Sequence, residues 1–272
     1  MQNKLNFIFF GTSEEAVYAL EAMHKKGLIP SLIVTAQDAP VGRHQVLTAP
    51  LAKQWAEKNF ISTFQPKKID DEAINIIKEK SADIFIVVGY GKILPQKLID
   101  LPKHKTLNIH TSLLPLYRGP TPVQGPILNG DKETGISIIV VDSDVDHGPI
   151  VSQEKYIISG NETEPELTKI LFTRGGEILA EILPEWIKGN ITPTEQDHSK
   201  ATFTQKLKKE DGLIDLNDDA LENYRKFRAY ADWPRTFFFK DGKRMIITEA
   251  KLEDKKFVIK KIIPEGGKEI NY

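Results

Sequence analysis

Asn108 and His110 are the side chains of this chain best suited to polarising a carbonyl. They belong to the stretch Asn108-Ile109-His110-Thr111-Ser112-Leu113-Leu114-Pro115, which runs on to Tyr117-Arg118-Gly119-Pro120. In an extended segment alternate side chains share a face, so the pair lies on one side, roughly 6 to 7 Å apart. An amide donor and an imidazole converging from one face can stabilise an oxyanion, and one preorganised donor of this kind is worth ~3–4 kcal/mol. Taken singly, each residue also has a plain structural reading, a satisfied histidine after a strand in the case of His110.

The elements around this stretch read as an α/β fold. The apolar run over 5–10 ends at Gly11-Thr12, a helix opens at Ser13 with Glu14 and Glu15 in its first turn, and 31–35 is a second strand. Only Gly11 follows that first strand, so the G-x-G-x-x-G of a dinucleotide site is missing. Residues 36–50 read as a loop, 51–58 and 71–80 as helices, and 82–88 as another buried strand that ends in Gly89-Tyr90-Gly91-Lys92-Ile93-Leu94-Pro95. Glycines past the carboxyl end of such a strand let a ligand approach the backbone, and a plain tight turn uses them equally well. After a short helix at 121–128, 134–141 is a strand, 149–151 and 155–158 are two strand-like runs, and 164–188 is a long helix. Asp142-Ser143-Asp144-Val145-Asp146-His147-Gly148 carries three alternating acids but lacks the sixth-position glycine and terminal glutamate of an EF-hand, and no metal site is implied.

Residues 189–205 are polar and without periodicity, which predicts a linker between a catalytic domain at 1–188 and a second domain at 206–272. In that second domain a helix at 218–228 precedes short alternating strands at 236–239, 245–250 and 257–263, the spacing of a small open OB-like β-barrel. Lys240-Asp241-Gly242-Lys243 has the chemistry of a hairpin turn. The net charge of −1 argues against bulk nucleic-acid binding, but it is unevenly spread: residues 206–272 hold 16 Lys and Arg against 13 Asp and Glu, or +3, leaving −4 before them. With no cysteine, disulfides, thiolate zinc sites and a cysteine nucleophile are excluded. No apolar run nears the ~18 residues that span a bilayer, and Met1 leads into a short strand rather than a signal-peptide core, so a cytoplasmic protein is expected.

The string N-x-H-x-S-L-L-P-x-x-R-G resembles the signature of the formyltransferases that use 10-formyltetrahydrofolate. Phe10-Gly11-Thr12, the segment from Val88 to Pro95, and Gly130-Asp131-Lys132-Glu133-Thr134-Gly135 also resemble that family. Lys206, Ile214-Asp215, Arg228-Ala229, Trp233-Pro234 and Pro264-Glu265-Gly266 are similar to features of the members that act on methionyl-tRNA. The resemblance implies a Rossmann-like, mostly parallel catalytic domain followed by an abbreviated OB-like domain. It implies catalysis by Asn108, His110 and Asp146, with Asp146-x-Gly148 supplying the aspartate that orients His110. Folate contacts are then expected at Gly89, Tyr90, Gly91, Ile93, Leu94, Ser112, Leu113, Leu114, Pro115 and Asp142. The loop after the second strand, basic in that family, keeps Arg43 and continues His44-Gln45-Val46, and Ala231-Asp232 stand where Asn-Pro is usual. Arg43 is therefore expected to act on the acceptor end of tRNA, while Lys206, Lys208, Lys209, Lys243 and Arg244 supply diffuse phosphate contacts. A monomer transferring formyl from 10-formyltetrahydrofolate to methionyl-tRNA is the resulting expectation. A sugar-nucleotide amine N-formyltransferase and a non-catalytic RNA- or folate-binding module are the alternatives.

Overall fold

The structure is a computed structural model and describes residues 5–42 and 45–272. In chain order the first half comprises β1 (Phe7–Phe10), α1 (Glu14–Lys25), β2 (Leu32–Val34), β3 (Ala39–Val41), β4 (Val46–Thr48), α2 (Leu51–Lys58), β5 (Thr63–Phe64), α3 (Asp71–Glu79), β6 (Ile84–Val87), α4 (Gln96–Ile99) and β7 (Thr106–His110). There follow α5 (Gln124–Asn129), β8 (Glu133–Val140), β9 (Ile150–Ile157), α6 (Glu164–Ile187), α7 (Ala220–Ala229), β10 (Phe237–Lys240), β11 (Lys243–Glu253), β12 (Lys256–Pro264) and β13 (Ile270–Asn271).

Strands β5-β2-β1-β6-β7-β8-β9 form one sheet in that order, the first five parallel and the last two antiparallel. β1 is fully buried because it is central and covered on both faces, which is why its sequence is an unbroken apolar run. α1, α2 and α6 pack on one face through Ala16, Leu20, Met23, Trp55, Leu167 and Leu179, and α3 and α4 on the other through Ile74, Ile77 and Leu98. The strand order turns back between β1 and β6, and in open sheets of this kind the crevice at such a switch point is where ligands bind.

α6 is the long helix expected from its apolar spacing. The Glu166 carboxylate accepts from Thr163 N and Oγ1, both at 2.8 Å, closing its first turn and holding Glu166 below the usual carboxylate range. Gly176 lets it lie against α1, since a Cβ there would stand 2.6 Å from Ala19 O.

The second sheet, β10-β11-β12-β13, is antiparallel throughout and encloses a small core of Ile214, Phe238, Ile247, Ile259 and Ile262 under Phe227 of α7. Two expectations change. The loop at 36–50 contains the β3–β4 hairpin, whose Val41, Val46 and Leu47 are exposed and so carry no buried-face alternation. The two runs at 149–151 and 155–158 are one strand, β9, paired along β8 with a single irregularity between Ile138 and Ile139.

Candidate active site

β7 lies between β6 and β8 and ends at His110, which stands opposite Ser137. The backbone pleat sends Leu107 and Ile109 into the core below α6, and Asn108 and His110 the other way. There they meet Asp146: its Oδ1 lies 3.5 Å from both Asn108 Nδ2 and His110 Nδ1. Its Oδ2 accepts from Gly119 N at 2.8 Å. His110 Nε2 donates to Tyr117 O at 2.9 Å, because a carbonyl can only accept, and this leaves Nδ1 facing the carboxylate. The His110 and Asp146 side chains are 6% and 14% exposed, so their interaction is little screened by solvent.

Gly119 must be glycine: its φ is +108° and a Cβ would press on Thr204 O at 2.9 Å. Gly89, at the end of β6, has φ +54°, and a Cβ there would lie 2.5 Å from Ser13 Oγ. The latter keeps the switch-point crevice open to approach along the backbone, where Thr12 N donates to Gly89 O.

A cavity of about 560 Å³ runs over this point and is walled by Gly89, Tyr90, Gly91, Ile93, Asn108, His110 and Asp146. A second, of about 190 Å³, adjoins it and adds Leu94 and Asp142. Ile93 and Val145 face both and are 88% and 61% exposed, an apolar rim around polar floor groups. Asp142 is also engaged within its own loop, accepting from Asp144 N at 3.1 Å and from His147 Nδ1 at 2.8 Å.

Ser112, Leu113, Leu114 and Pro115 line neither cavity. Ser112 and Leu114 are buried, and buried backbone polar groups must be paired. Ser137 Oγ donates to Ser112 O at 2.7 Å and accepts from Leu114 N at 3.2 Å, while Gln153 Nε2 donates to Leu114 O at 3.0 Å and to Ser137 Oγ at 2.8 Å. The Ser-Leu-Leu-Pro turn is thus a support for the strand end rather than a wall of the cleft.

Of the expected basic contacts, Lys206 and Lys208 share a third cavity of about 460 Å³ with Tyr117, Thr121 and Tyr230. Lys209 begins a 3-10 turn next to it. Lys243 and Arg244 belong to the β10–β11 hairpin and are not in that lining; the Arg244 guanidinium lies 3.9 Å over the Phe237 ring. Arg43 lies outside the described residues.

The cleft also contains residues without a sequence signal. Thr168 and Phe172 line it from α6, where their spacing is that of core positions, and Glu15 and Glu164 stand at its wall. Burial raises Glu164 above the usual carboxylate range against a hydrogen bond from Thr168, and Glu15, Asp232 and Glu14 add to the rise. Burial likewise pushes the Tyr90 phenol up to about 12.

The chain is an α/β transferase whose cleft lies at the carboxyl end of the parallel strand β7, met there by the turn after the antiparallel β8. Residues 3–183 match the formyl transferase family and 206–271 match the formyl transferase C-terminal domain; the chain belongs to the formyl transferase family. The methionyl-tRNA formyltransferase of Chloroflexus aggregans is 40% identical over 247 residues, 90% of this chain and 80% of that one. Among solved structures, the methionyl-tRNA formyltransferase from Clostridium thermocellum superposes with a TM-score of 0.63 at 20% identity, covering 98% of this chain and 100% of that chain. WlaRD, a sugar 3N-formyl transferase solved in the presence of dTDP and 5-N-formyl-THF, does so with a TM-score of 0.66 at 18% identity, covering 93% and 88%.

Ser137→Ala should cost about 1–3 kcal/mol, because it leaves Leu114 N buried without a partner. Urea unfolding checks this, and a midpoint equal to that of the parent protein would show that the turn does not depend on Ser137.

Proposed function

We propose that the protein transfers the formyl group of 10-formyltetrahydrofolate to the α-amino group of methionyl-tRNA, in the cytoplasm, for the initiation of translation. The observation that carries the reading is the convergence of Asn108 and His110 on one oxygen of Asp146 beside the switch-point cleft. Its setting supports it: the second family domain is present, and a methionyl-tRNA formyltransferase is similar over 90% of the chain.

Both substrates bring their own reactive groups. An α-amino group has a pKa near 7.7–8.0, and esterification lowers it, so much of it is neutral at pH 7 without help. Attack of that nitrogen on the formyl carbon forms the new C–N bond and places negative charge on the formyl oxygen. Asn108 Nδ2 is the donor that meets this charge, joined by His110 Nδ1 once that nitrogen has taken the proton the amine loses, since Nε2 is committed to Tyr117 O. Collapse breaks the bond to the folate nitrogen, which must take up a proton as the amine loses one. His110 carries that proton, and the Asp146 carboxylate at 3.5 Å stabilises the ring while it is charged.

The folate is assigned to the two adjoining cavities. Gly89 and Gly91 leave the backbone open there, and Ile93 and Val145 offer apolar surface to a flat ring. The tRNA is assigned to the side of the molecule where Lys206 and Lys208 share a cavity with Tyr117, the residue whose carbonyl holds His110.

The decisive assay offers 10-formyltetrahydrofolate with either methionyl-tRNA or an amino-sugar nucleotide. Formylation of the tRNA alone is expected, and formylation of the sugar alone would overturn the acceptor assignment. With methionyl-tRNA, His110→Ala should lower kcat by at least about a hundredfold while the folate Kd stays nearly unchanged, since the lost contact acts in the transition state. A loss of tenfold or less would remove His110 from the mechanism.

Lys206→Ala and Lys208→Ala should each weaken tRNA binding and lower the slope of log K against log salt by about one unit, with turnover at saturation retained. An unchanged slope would place the phosphate contacts elsewhere.

A further inference from the structure

Residues 189–205 have no periodicity, yet residues from Thr194 onward are ordered by contacts with distant backbone. Ile150 and Thr194 exchange two backbone hydrogen bonds of 2.8 Å. Arg118 N donates to Thr202 O at 2.9 Å, and Thr204 N donates to Arg118 O at 2.7 Å. The segment is therefore strapped across the two places that hold Asp146, the 142–148 turn and the Arg118-Gly119 corner.

Gln196 sits at the centre of this strap and is 5% exposed. Its Nε2 donates to Asp146 O at 2.9 Å and to Gly148 O at 2.7 Å. Its Oε1 accepts from Arg118 Nη2 at 2.6 Å and from Arg118 Nε at 3.2 Å. The carboxamide can point only one way, because a guanidinium has no acceptor and a carbonyl has no donor. Arg118, 3% exposed, is fixed in turn by His198, whose Nδ1 must accept from Arg118 Nη2 at 2.8 Å. The His198 ring stacks on His147 at 4.0 Å between centroids, and His147 donates to Asp142, so the turn is gripped at both its beginning and its end.

The grip falls where the backbone gains from one. Asp146 has φ +51°, a left-handed conformation that aspartate tolerates better than most residues but that its neighbours help to hold. The Gln196 bond to Asp146 O fixes the peptide plane next to that residue, and Gly119, whose N–H holds Asp146 Oδ2, follows the Arg118 that Gln196 orients.

We propose that Gln196 is a positioning residue for formyl transfer: one carboxamide clamps the Asp146 turn to the Arg118-Gly119 corner and so aims the Asp146 carboxylate at Asn108 and His110. This rests on the roles given to Asp146 and His110 in the proposed function. Gln196 touches no reacting atom, so its loss should appear as misalignment, and a displacement of about 1 Å can cost ~100-fold in rate.

The test variant is Gln196→Glu. A carboxylate of nearly the same size keeps the contact with Arg118 and stays ionised beside it, but presents a bare oxygen to two carbonyls. Expected are a kcat at least about tenfold lower and KM values for folate and tRNA within about threefold of the parent protein, measured well below a melting temperature that the loss of two buried hydrogen bonds lowers. Asp146→Asn and the double variant Gln196→Glu/Asp146→Asn complete the set. The double variant should be no slower than Asp146→Asn alone, because a misaimed carboxylate has nothing further to lose once the charge is gone. If Gln196→Glu does not fold, Gln196→Met carries the same comparison. A kcat within threefold of the parent protein, or losses that multiply in the double variant, would overturn the proposal. An Asp146→Asn variant that is itself fully active would instead overturn the reading of the site.

Discussion

Everything at the cleft depends on how one carboxylate is divided. Asp146 gives Oδ2 to the Gly119 amide at 2.8 Å and turns Oδ1 towards Asn108 and His110 at 3.5 Å. The short bond anchors the carboxylate, and the two longer separations leave Oδ1 facing both side chains. A carboxylate accepting from a backbone N–H is held in register by a charge-assisted bond, stronger than a neutral one. Its other oxygen is thereby left turned towards both side chains.

That division links parts of the chain that are far apart in sequence. β7 supplies Asn108 and His110, the turn after β8 supplies Asp146, and the 117–120 corner supplies the amide. The segment after α6 ties the last two together before the chain enters the second sheet. α7 adds a contact between the halves: Arg225 packs on Gly130 beyond α5, and Arg228 Nη1 donates to Glu162 O ahead of α6. Burial lowers the Arg228 guanidinium from its ordinary value, partly offset by Tyr224 and Glu162. The second sheet and α7 are thus joined to the first half of the chain through packed polar groups.

Much of this was legible in the sequence, for identifiable reasons. β1 and β6 announce themselves because strands covered on both faces are written in unbroken apolar residues. Asn108 and His110 share a face by the two-residue period, which holds in any extended strand. The long helix α6 follows from its stripe of apolar positions. The hairpin of β3 and β4 escaped because its residues are exposed on three successive positions and show no alternation. Gln196 and His198 escaped for a different reason: their partners lie 48 to 80 residues away, and nothing in local spacing records a side chain that bonds to distant carbonyls. Ser112 to Pro115 were expected at the folate from resemblance alone. Their burial and their bonds to Ser137 and Gln153 explain that segment as a support for the strand end.

The central claim is that Asp146 and His110 act as one unit, and a double-mutant cycle on single-turnover formylation measures it directly. With both substrates saturating, the account predicts that the His110→Ala/Asp146→Asn protein is as slow as the slower single variant and no slower. Rate losses that multiply would contradict it, because they would show the two side chains acting on separate steps.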